Sequence, residues 1–135
     1  MKYNGVIQRK FALLDKHTLE LKARFGNLDF EKVKNDWALR MMTERSLQIM
    51  TEIVIDVCER ILAIENAGPA ATASENVDKL VSMGILKSKE PYVTMVRFRN
   101  LIVHQYEEID PAIVYDIAKN RLDDFRRFRD EIDIR

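Results

Sequence analysis

The sequence predicts an all-α fold, a four- to five-helix up-and-down bundle in which residues 1–135 form a single domain. Apolar residues recur at steps of three and four along most of the chain, and no segment shows the strict alternation of a β-strand. Glycine (4) and proline (3) are scarce, so long helices are expected to run without interruption. Capping residues precede several of the apolar repeats, which favours helices with defined starts.

The first helix is predicted from about Tyr3 to Arg24, because apolar residues recur at helical spacing throughout this stretch. Gly26-Asn27 is expected to end it, since both residues tolerate the backbone conformations found after a helix. Asp29 is then a candidate N-cap for a short helix over residues 30–34.

The second main helix is predicted from Trp37 to about Glu65, with Asn35-Asp36 as its start signal. Ile49, Ile53 and Ile55 extend its apolar surface beyond one stripe. A surface this wide predicts contact with more than one neighbour, and a second subunit is among the candidates. The main stripe alternates steps of three and four, as a packing seam does, through Leu47, Met50, Val54, Val57, Ile61 and Ile64.

Gly68-Pro69 breaks the chain after this helix, and residues 70–73 are predicted to form a loop. Ser74 is a candidate N-cap for a short helix from Glu75 to Met83, which Gly84 would end.

The next helix is predicted to start at Ser88, with Pro91 tolerated in its first turn. Asp110-Pro111 predicts a fresh start, because Asp is a good cap and Pro suits the first helical position. The apolar spacing then predicts one last helix through Phe128.

Composition limits the possible function classes. The 22 basic and 22 acidic residues balance, so any contact with RNA is expected to use a local patch rather than a global positive field. Cys58 is the only cysteine, which excludes an intrachain disulfide and suits a reducing compartment. No apolar run has the length of a signal peptide or of a membrane span. We therefore expect a cytoplasmic protein without membrane contact.

The stretch RNLIVHQY, at residues 99–106, carries the groups with the clearest chemistry. The guanidinium of Arg99 can grip a phosphate with its planar fork, and His104 can move a proton at neutral pH. Together they are the minimum equipment for cleaving a phosphodiester without a metal. Neither a zinc-type cysteine pattern nor a phosphate-binding glycine loop is present, so no metal or cofactor is expected.

Helical geometry sets a condition on this site. Arg99 and Tyr106 are seven residues apart and share a face of a regular helix, whereas His104 follows Arg99 by five residues and points about 140° away. Two explanations stay open: the helix loosens before His104, or the site combines residues from two chains.

The same residues also have ordinary structural interpretations. A lone histidine at a helix end is most often a surface residue or a C-cap, and His17 has no catalytic neighbours in sequence. Cys58 is expected to be a small core residue. A polar repeat of every fourth residue is either a solvated stripe or a ridge beside a cleft, and consists of Glu44, Gln48, Glu52 and Asp56.

RNLIVHQY resembles the R-x-x-x-x-H-x-Y signature of HEPN-domain proteins, specifically the HepT-like toxins of prokaryotic toxin–antitoxin pairs. ERSLQ at residues 44–48, with Glu52 and residues 56–58, resembles their second-helix pattern, and SMGIL at residues 82–86 resembles the turn before their motif helix. The likeness spans nearly the whole chain. It implies a HEPN-like helical bundle that forms a homodimer, with the motif helices facing each other across a cleft.

The resemblance also implies an activity and residue roles. Active members of the family are metal-independent endoribonucleases, so Arg99 would hold the scissile phosphate and stabilise charge in the transition state. His104 would act as general acid or base, and Asn100 would assist alignment. The expected product is a 2′,3′-cyclic phosphate.

The implied partner is a minimal nucleotidyltransferase antitoxin of the MntA type, which in this family can transfer AMP to the motif tyrosine, here Tyr106. The added charge and bulk beside the Arg/His site would repel RNA. The main alternative is a non-catalytic module that binds a nucleotide or docks the nucleotidyltransferase. Net charge of +0 favours that alternative slightly, and the intact Arg/His pair disfavours it. A plain structural bundle is the third reading.

Overall fold

The computed structural model describes residue 3 and residues 5–104 and 109–133, and these residues form seven α-helices and no β-strand. The all-α prediction is confirmed, whereas the predicted four or five helices become seven in the described ranges. In chain order the helices are α1 Val6–Phe25, α2 Phe30–Asn35, α3 Trp37–Ile64, α4 Ala73–Ser82, α5 Tyr92–His104, α6 Pro111–Asn120 and α7 Leu122–Asp133.

Helix α3 is the centre of the fold and contacts each of the other six helices. Five of the six residues in its predicted seam are fully buried, and Ile53 and Ile55 are buried as well. Ile64, the sixth, is 54% exposed because it is the last residue of the helix. The prediction that the wide apolar surface meets several neighbours is therefore confirmed within one chain.

Helices α1 and α3 run antiparallel, as their polar cross-contacts show. The Tyr3 hydroxyl donates to Glu65, Lys10 pairs with Asp56 at 2.9 Å, and His17 lies beside Ser46. In these three pairs the residue number increases toward the C-terminal end of α1 while it decreases along α3.

Three predicted caps are confirmed. The side chains of Asp29 and Asp36 accept hydrogen bonds from backbone N–H groups three residues ahead, each at 2.9 Å. Asp110 accepts from the N–H of Ala112 at 2.9 Å, with Pro111 at the first helical position. These bonds satisfy donors that a helix start leaves without an intrahelical partner.

Two predicted starts are wrong. Thr72, not Ser74, caps α4, and its hydroxyl accepts from the Glu75 N–H at 3.1 Å. The helix after Gly84 begins at Tyr92 rather than at Ser88, whose hydroxyl donates to the Glu90 carbonyl at 2.7 Å. In both cases several polar residues lie close together, and only the fold selects one as the start.

The predicted last helix is two helices, which separate at Arg121 (φ −119°, ψ 7°). Helix α6 packs on α1, α2 and α3, whereas α7 packs mainly on α1. The apolar repeat continues across the break at steps of three and four, so periodicity alone does not reveal it. The buried residues of this repeat are Val114, Ala118, Leu122, Phe125, Phe128 and Ile132.

Candidate active site

Helix α5 carries Arg99, Asn100 and His104. Tyr92, Met95, Val96 and Phe98 form its buried face, and the helix packs on α3 and α4. Burial of these four side chains fixes the rotation of the helix about its axis, because turning it would expose them. Arg99, Asn100 and His104 are thereby held at the surface.

A buried carboxylate fixes the start of α5. Glu131, in α7, is 6% exposed and accepts hydrogen bonds from the Tyr92 hydroxyl and, at 3.0 Å, from the Lys87 backbone N–H. Arg127 lies 3.8 Å from the same carboxylate and 6.0 Å from the centre of the Tyr92 ring. A buried charge is tolerated only with such partners, so this cluster ties α7 to the first residue of α5.

Arg99 and Asn100 contact each other directly. Arg99 is half-buried, and its Nε donates to the Asn100 side-chain oxygen at 3.1 Å. A guanidinium has five N–H donors, so this bond leaves most of them for a ligand. Asn100 itself is exposed.

His104 is the last residue of α5 and is exposed. Because α5 is helical through His104, the helix does not loosen before this residue to bring Arg99 and His104 together. Arg99 and His104 therefore point about 140° apart around the helix axis. Regular helix geometry therefore predicts that one copy of the chain does not direct both side chains to one point from the same face of α5.

Tyr106 lies outside the described residues, as does all of 105–108, so its predicted role stays a prediction.

The polar repeat on α3 is in part a structural feature. Asp56 pairs with Lys10 of α1 at 2.9 Å and with Arg60 at 2.7 Å. Burial opposes its ionisation, yet the hydrogen bonds from Arg60 and Lys10 outweigh burial and lower the pKa of its carboxyl. Elsewhere in the repeat, Gln48 donates to Glu52 at 3.5 Å.

Sequence reasoning missed a cleft of about 780 Å³ between α5, α6 and α7. Its wall on α5 includes Thr94, Arg97 and Leu101, and its other walls come from residues distant in sequence, such as Ile113 and Asp124. Each of these positions reads in isolation as an ordinary helix residue. The cleft is recognised only from the way α5, α6 and α7 are arranged relative to one another.

His17 also differs from its sequence interpretation. It is half-buried, and its Nδ1 lies 2.6 Å from the Ser46 hydroxyl, a residue of the ERSLQ stretch. Burial lowers the pKa of His17, and the charge of Lys16 adds to the effect. The hydrogen bond joins α1 to α3, so the side chain has a structural role.

Cys58 is buried in the core, as predicted, and burial raises the pKa of its thiol. Among residues 3, 5–104 and 109–133, no group of three or more His, Cys, Asp or Glu side chains has the arrangement of a metal site. No described helix has the length and apolar character needed to cross a membrane.

Comparison with known proteins identifies similar chains. The family model described as "Ribonuclease HepT-like" matches residues 14–132. A tRNA nuclease HepT from Aphanizomenon flos-aquae is 28% identical over 112 residues, which cover 82% of this chain and 76% of that protein. An mRNA nuclease HepT from Shewanella oneidensis is 25% identical over 131 residues, which cover 96% of this chain and 97% of that protein.

Solved structures share the fold. A tri-AMPylated Shewanella oneidensis HEPN toxin in complex with MNT antitoxin superposes with a TM-score of 0.87 at 24% identity, covering 98% of this chain and 100% of that one. A toxin–antitoxin crystal structure with AMP-PNP gives the same TM-score, identity and coverage. Both show that the helical arrangement described above is that of a known fold.

Proposed function

From the premise that this chain belongs to the ribonuclease HepT-like family, we propose that it is the toxin of a toxin–antitoxin pair of the type II/VII-like kind and a metal-independent endoribonuclease. One observation carries the proposal: the family match spans residues 14–132 and includes the helix that presents Arg99 and His104 at the surface. The two curated nuclease relatives support a ribonuclease activity.

The mechanism uses the 2′-hydroxyl of the RNA itself. His104 removes the 2′-hydroxyl proton, the 2′-oxygen forms a bond to phosphorus, and the bond from phosphorus to the 5′-oxygen breaks. The departing 5′-oxygen takes up a proton from water, and the upstream fragment ends in a 2′,3′-cyclic phosphate. No water is activated in this step, so no metal is required for it.

Arg99 stabilises the charge that develops on the phosphate oxygens. Its hydrogen bond to Asn100 holds the side chain in a fixed orientation before RNA arrives. Asn100 acts here as a positioning residue.

The site is proposed to be shared between two copies of the chain. Because Arg99 and His104 point about 140° apart on one helix, a homodimer in which two α5 helices face each other brings Arg99 of one copy toward His104 of the other. RNA would lie in the groove between the two helices.

The first test is RNA cleavage by purified protein in EDTA. We expect the parent protein to cut single-stranded RNA and His104→Ala to lose about 10²–10⁴-fold of the rate, the usual contribution of a general acid or base. His17→Gln is the matched control, because His17 is the chain's other histidine and pairs with Ser46 instead. Cleavage by His104→Ala at the parental rate would refute the proposed mechanism.

Neutralisation is proposed to proceed through a minimal nucleotidyltransferase antitoxin that transfers AMP to Tyr106. The solved AMPylated toxin in complex with MNT antitoxin supports such a partner. The adenylate would add negative charge close to Arg99 and His104 in sequence and repel RNA.

Mass spectrometry tests this step. Incubation of the chain with its antitoxin and ATP is expected to add the mass of AMP, and Tyr106→Phe is expected to prevent the addition. Tyr115→Phe is the control, because Tyr115 lies in α6 and donates to the Leu28 carbonyl. Full labelling of Tyr106→Phe would assign the modification to another residue.

The alternative function is a non-catalytic module that binds a nucleotide or docks the antitoxin. Formal net charge of +0 is the observation that favours it, because global attraction to RNA is absent. RNA binding without cleavage by the parent protein would select this alternative.

A further inference from the structure

We propose that the cleft between α5, α6 and α7 is a base-binding subsite that holds a guanine of the RNA next to the cleaved phosphate. The inference rests on the proposed ribonuclease function and adds a determinant of sequence preference to it.

The cleft lies on the same face of α5 as His104. Thr94, Arg97 and Leu101 line it, at helical steps of three and four, and a further step of three reaches His104. Arg97 and His104 are seven residues apart, so they differ by only about 20° around the axis and by about 10 Å along it. A nucleotide in the cleft would therefore be close to the one whose 2′-hydroxyl meets His104.

The volume and the apolar lining of the cleft suit a nucleobase. Its volume of about 780 Å³ is within the roughly 300–1,000 Å³ range of small-ligand sites. The buried side chains of Met95, Phe98 and Phe125 contribute to its lining. An apolar surface binds the flat face of a base better than it binds a phosphate.

Two of the charged side chains in the cleft make no hydrogen bond or ion pair with other described residues. These are Arg97, which is exposed, and Asp124, which is half-buried. Burial raises the pKa of Asp124, although the charges of Arg121 and Arg127 act in the opposite direction. N–H donors from a ligand would offset the cost that burial imposes on this carboxylate.

The other acids of the cleft are already paired. Glu90 accepts hydrogen bonds from the N–H and the hydroxyl of Thr94, at 3.3 and 2.5 Å. Asp116 accepts from Asn120 at 2.9 Å and lies 3.6 Å from Arg121. Arg97 and Asp124 are thus the groups most available to a ligand.

Guanine has groups that are chemically complementary to each of these two side chains. A carboxylate repels phosphate but accepts hydrogen bonds from the two neighbouring N–H groups on the Watson–Crick edge of guanine, and an arginine fork fits its O6 and N7 acceptors. Uracil offers no amino group to the carboxylate. The charges of the cleft therefore favour a base rather than the RNA backbone.

The test maps cleavage sites on a pool of single-stranded RNA of random sequence. The parent protein is expected to enrich guanine at one fixed position beside the cut. Asp124→Asn is expected to cleave with the guanine-over-uracil preference reduced about tenfold, the usual worth of a bidentate base contact. Asp123→Asn is the matched control, because it lies in the same first turn of α7, is 82% exposed and pairs with Lys22.

A binding measurement separates this inference from the proposed activity. Fluorescence anisotropy with His104→Ala protein is expected to show tighter binding of a guanine-containing oligonucleotide than of its uracil counterpart. Adding Asp124→Asn to the His104→Ala protein is expected to remove this difference in affinity. If His104→Ala still cuts RNA, the proposed mechanism fails. The difference in affinity between the guanine and uracil oligonucleotides still tests the subsite in that case.

Two results would overturn the subsite. The first is cleavage and binding by the parent protein without base preference. The second is an unchanged base preference in Asp124→Asn. If dimer or antitoxin association is altered in that same variant, the cleft would be assigned to a protein partner.

Discussion

The two histidines of the chain show how little residue type alone reveals. His104, at the end of α5, is exposed, whereas His17 is half-buried and shares a hydrogen bond with Ser46. The sequence motif selected His104 as a candidate for proton transfer, and that role stays a prediction. Nothing in the sequence indicated which residue pairs with His17, because Ser46 lies 29 positions away and only the packing of α1 on α3 brings the two together.

The lowered pKa of His17 predicts a pH-dependent stability. Burial and the charge of Lys16 disfavour the protonated form in the folded chain, so the unfolded chain binds this proton more readily. The stabilisation is present above the ordinary pKa of 6.5 and is lost as pH falls through the lower folded value. Urea unfolding between pH 7.5 and 5.5 is expected to show falling stability below about pH 6.5.

His17→Gln is the comparison for this measurement, since glutamine does not titrate. Its unfolding free energy is expected to vary less over the same pH range. Equal slopes for the two proteins would show that other groups cause the dependence.

At the scale of elements, α5 owes its position to residues outside the motif. Glu131 holds the Tyr92 hydroxyl and the Lys87 N–H, and thus fixes the first residue of the helix. Local sequence predicted that a helix would exist here, but it misplaced the start by several residues. The start depends on a carboxylate 39 positions from Tyr92.

Loss of the Tyr92 hydroxyl is expected to weaken both stability and activity. Tyr92→Phe leaves the buried Glu131 carboxylate short of one donor, at a cost of about 1–3 kcal/mol of unfolding free energy. It is also expected to lower RNA cleavage at temperatures where the variant is folded, because α5 loses its anchor. Urea unfolding and cleavage rates measure the two effects.

Tyr115→Phe provides the matched comparison. It also loses one hydroxyl bond, to the Leu28 carbonyl at 3.0 Å, but this bond joins α6 to the turn after α1. We expect reduced stability with unchanged cleavage. Equal cleavage by both Phe variants would contradict a positioning role for the Glu131 cluster.

At the scale of the whole molecule, the divergence of Arg99 and His104 on a regular helix predicts a site built from two chains. Mixing Arg99→Ala and His104→Ala proteins tests this prediction, since a mixed dimer would contain one site with Arg99 from one copy and His104 from the other. Random pairing is expected to restore about a quarter of the parental cleavage rate.

Each variant alone is the control and is expected to be inactive. A site contained within one chain would give no recovery on mixing, because every chain would lack one of the two groups. Size-exclusion chromatography of the mixture checks that dimers form.

Much of the fold could be read from the sequence, because helix periods, caps and the scarcity of glycine and proline act locally. The N-caps Asp29, Asp36 and Asp110 hold their bonds within three residues, so local pattern was sufficient to predict them. The motif residues Arg99, Asn100 and His104 were selected as candidates from the sequence, and their roles stay predictions. The break at Arg121 was missed, because an apolar repeat continues across it.

By itself the sequence determined that this chain is all-α, that the stretch forming α3 has the clearest helical spacing of apolar residues, and that one helix carries an Arg/His pair at a spacing that separates their side chains. Tertiary structure alone decided that α5 stays helical through His104, that Glu131 anchors its start, and that a cleft opens beside it. The physical reason is how far apart in sequence the interacting residues are. Caps and periodicity depend on neighbours within a few residues, whereas a cleft and a buried carboxylate depend on how distant helices pack.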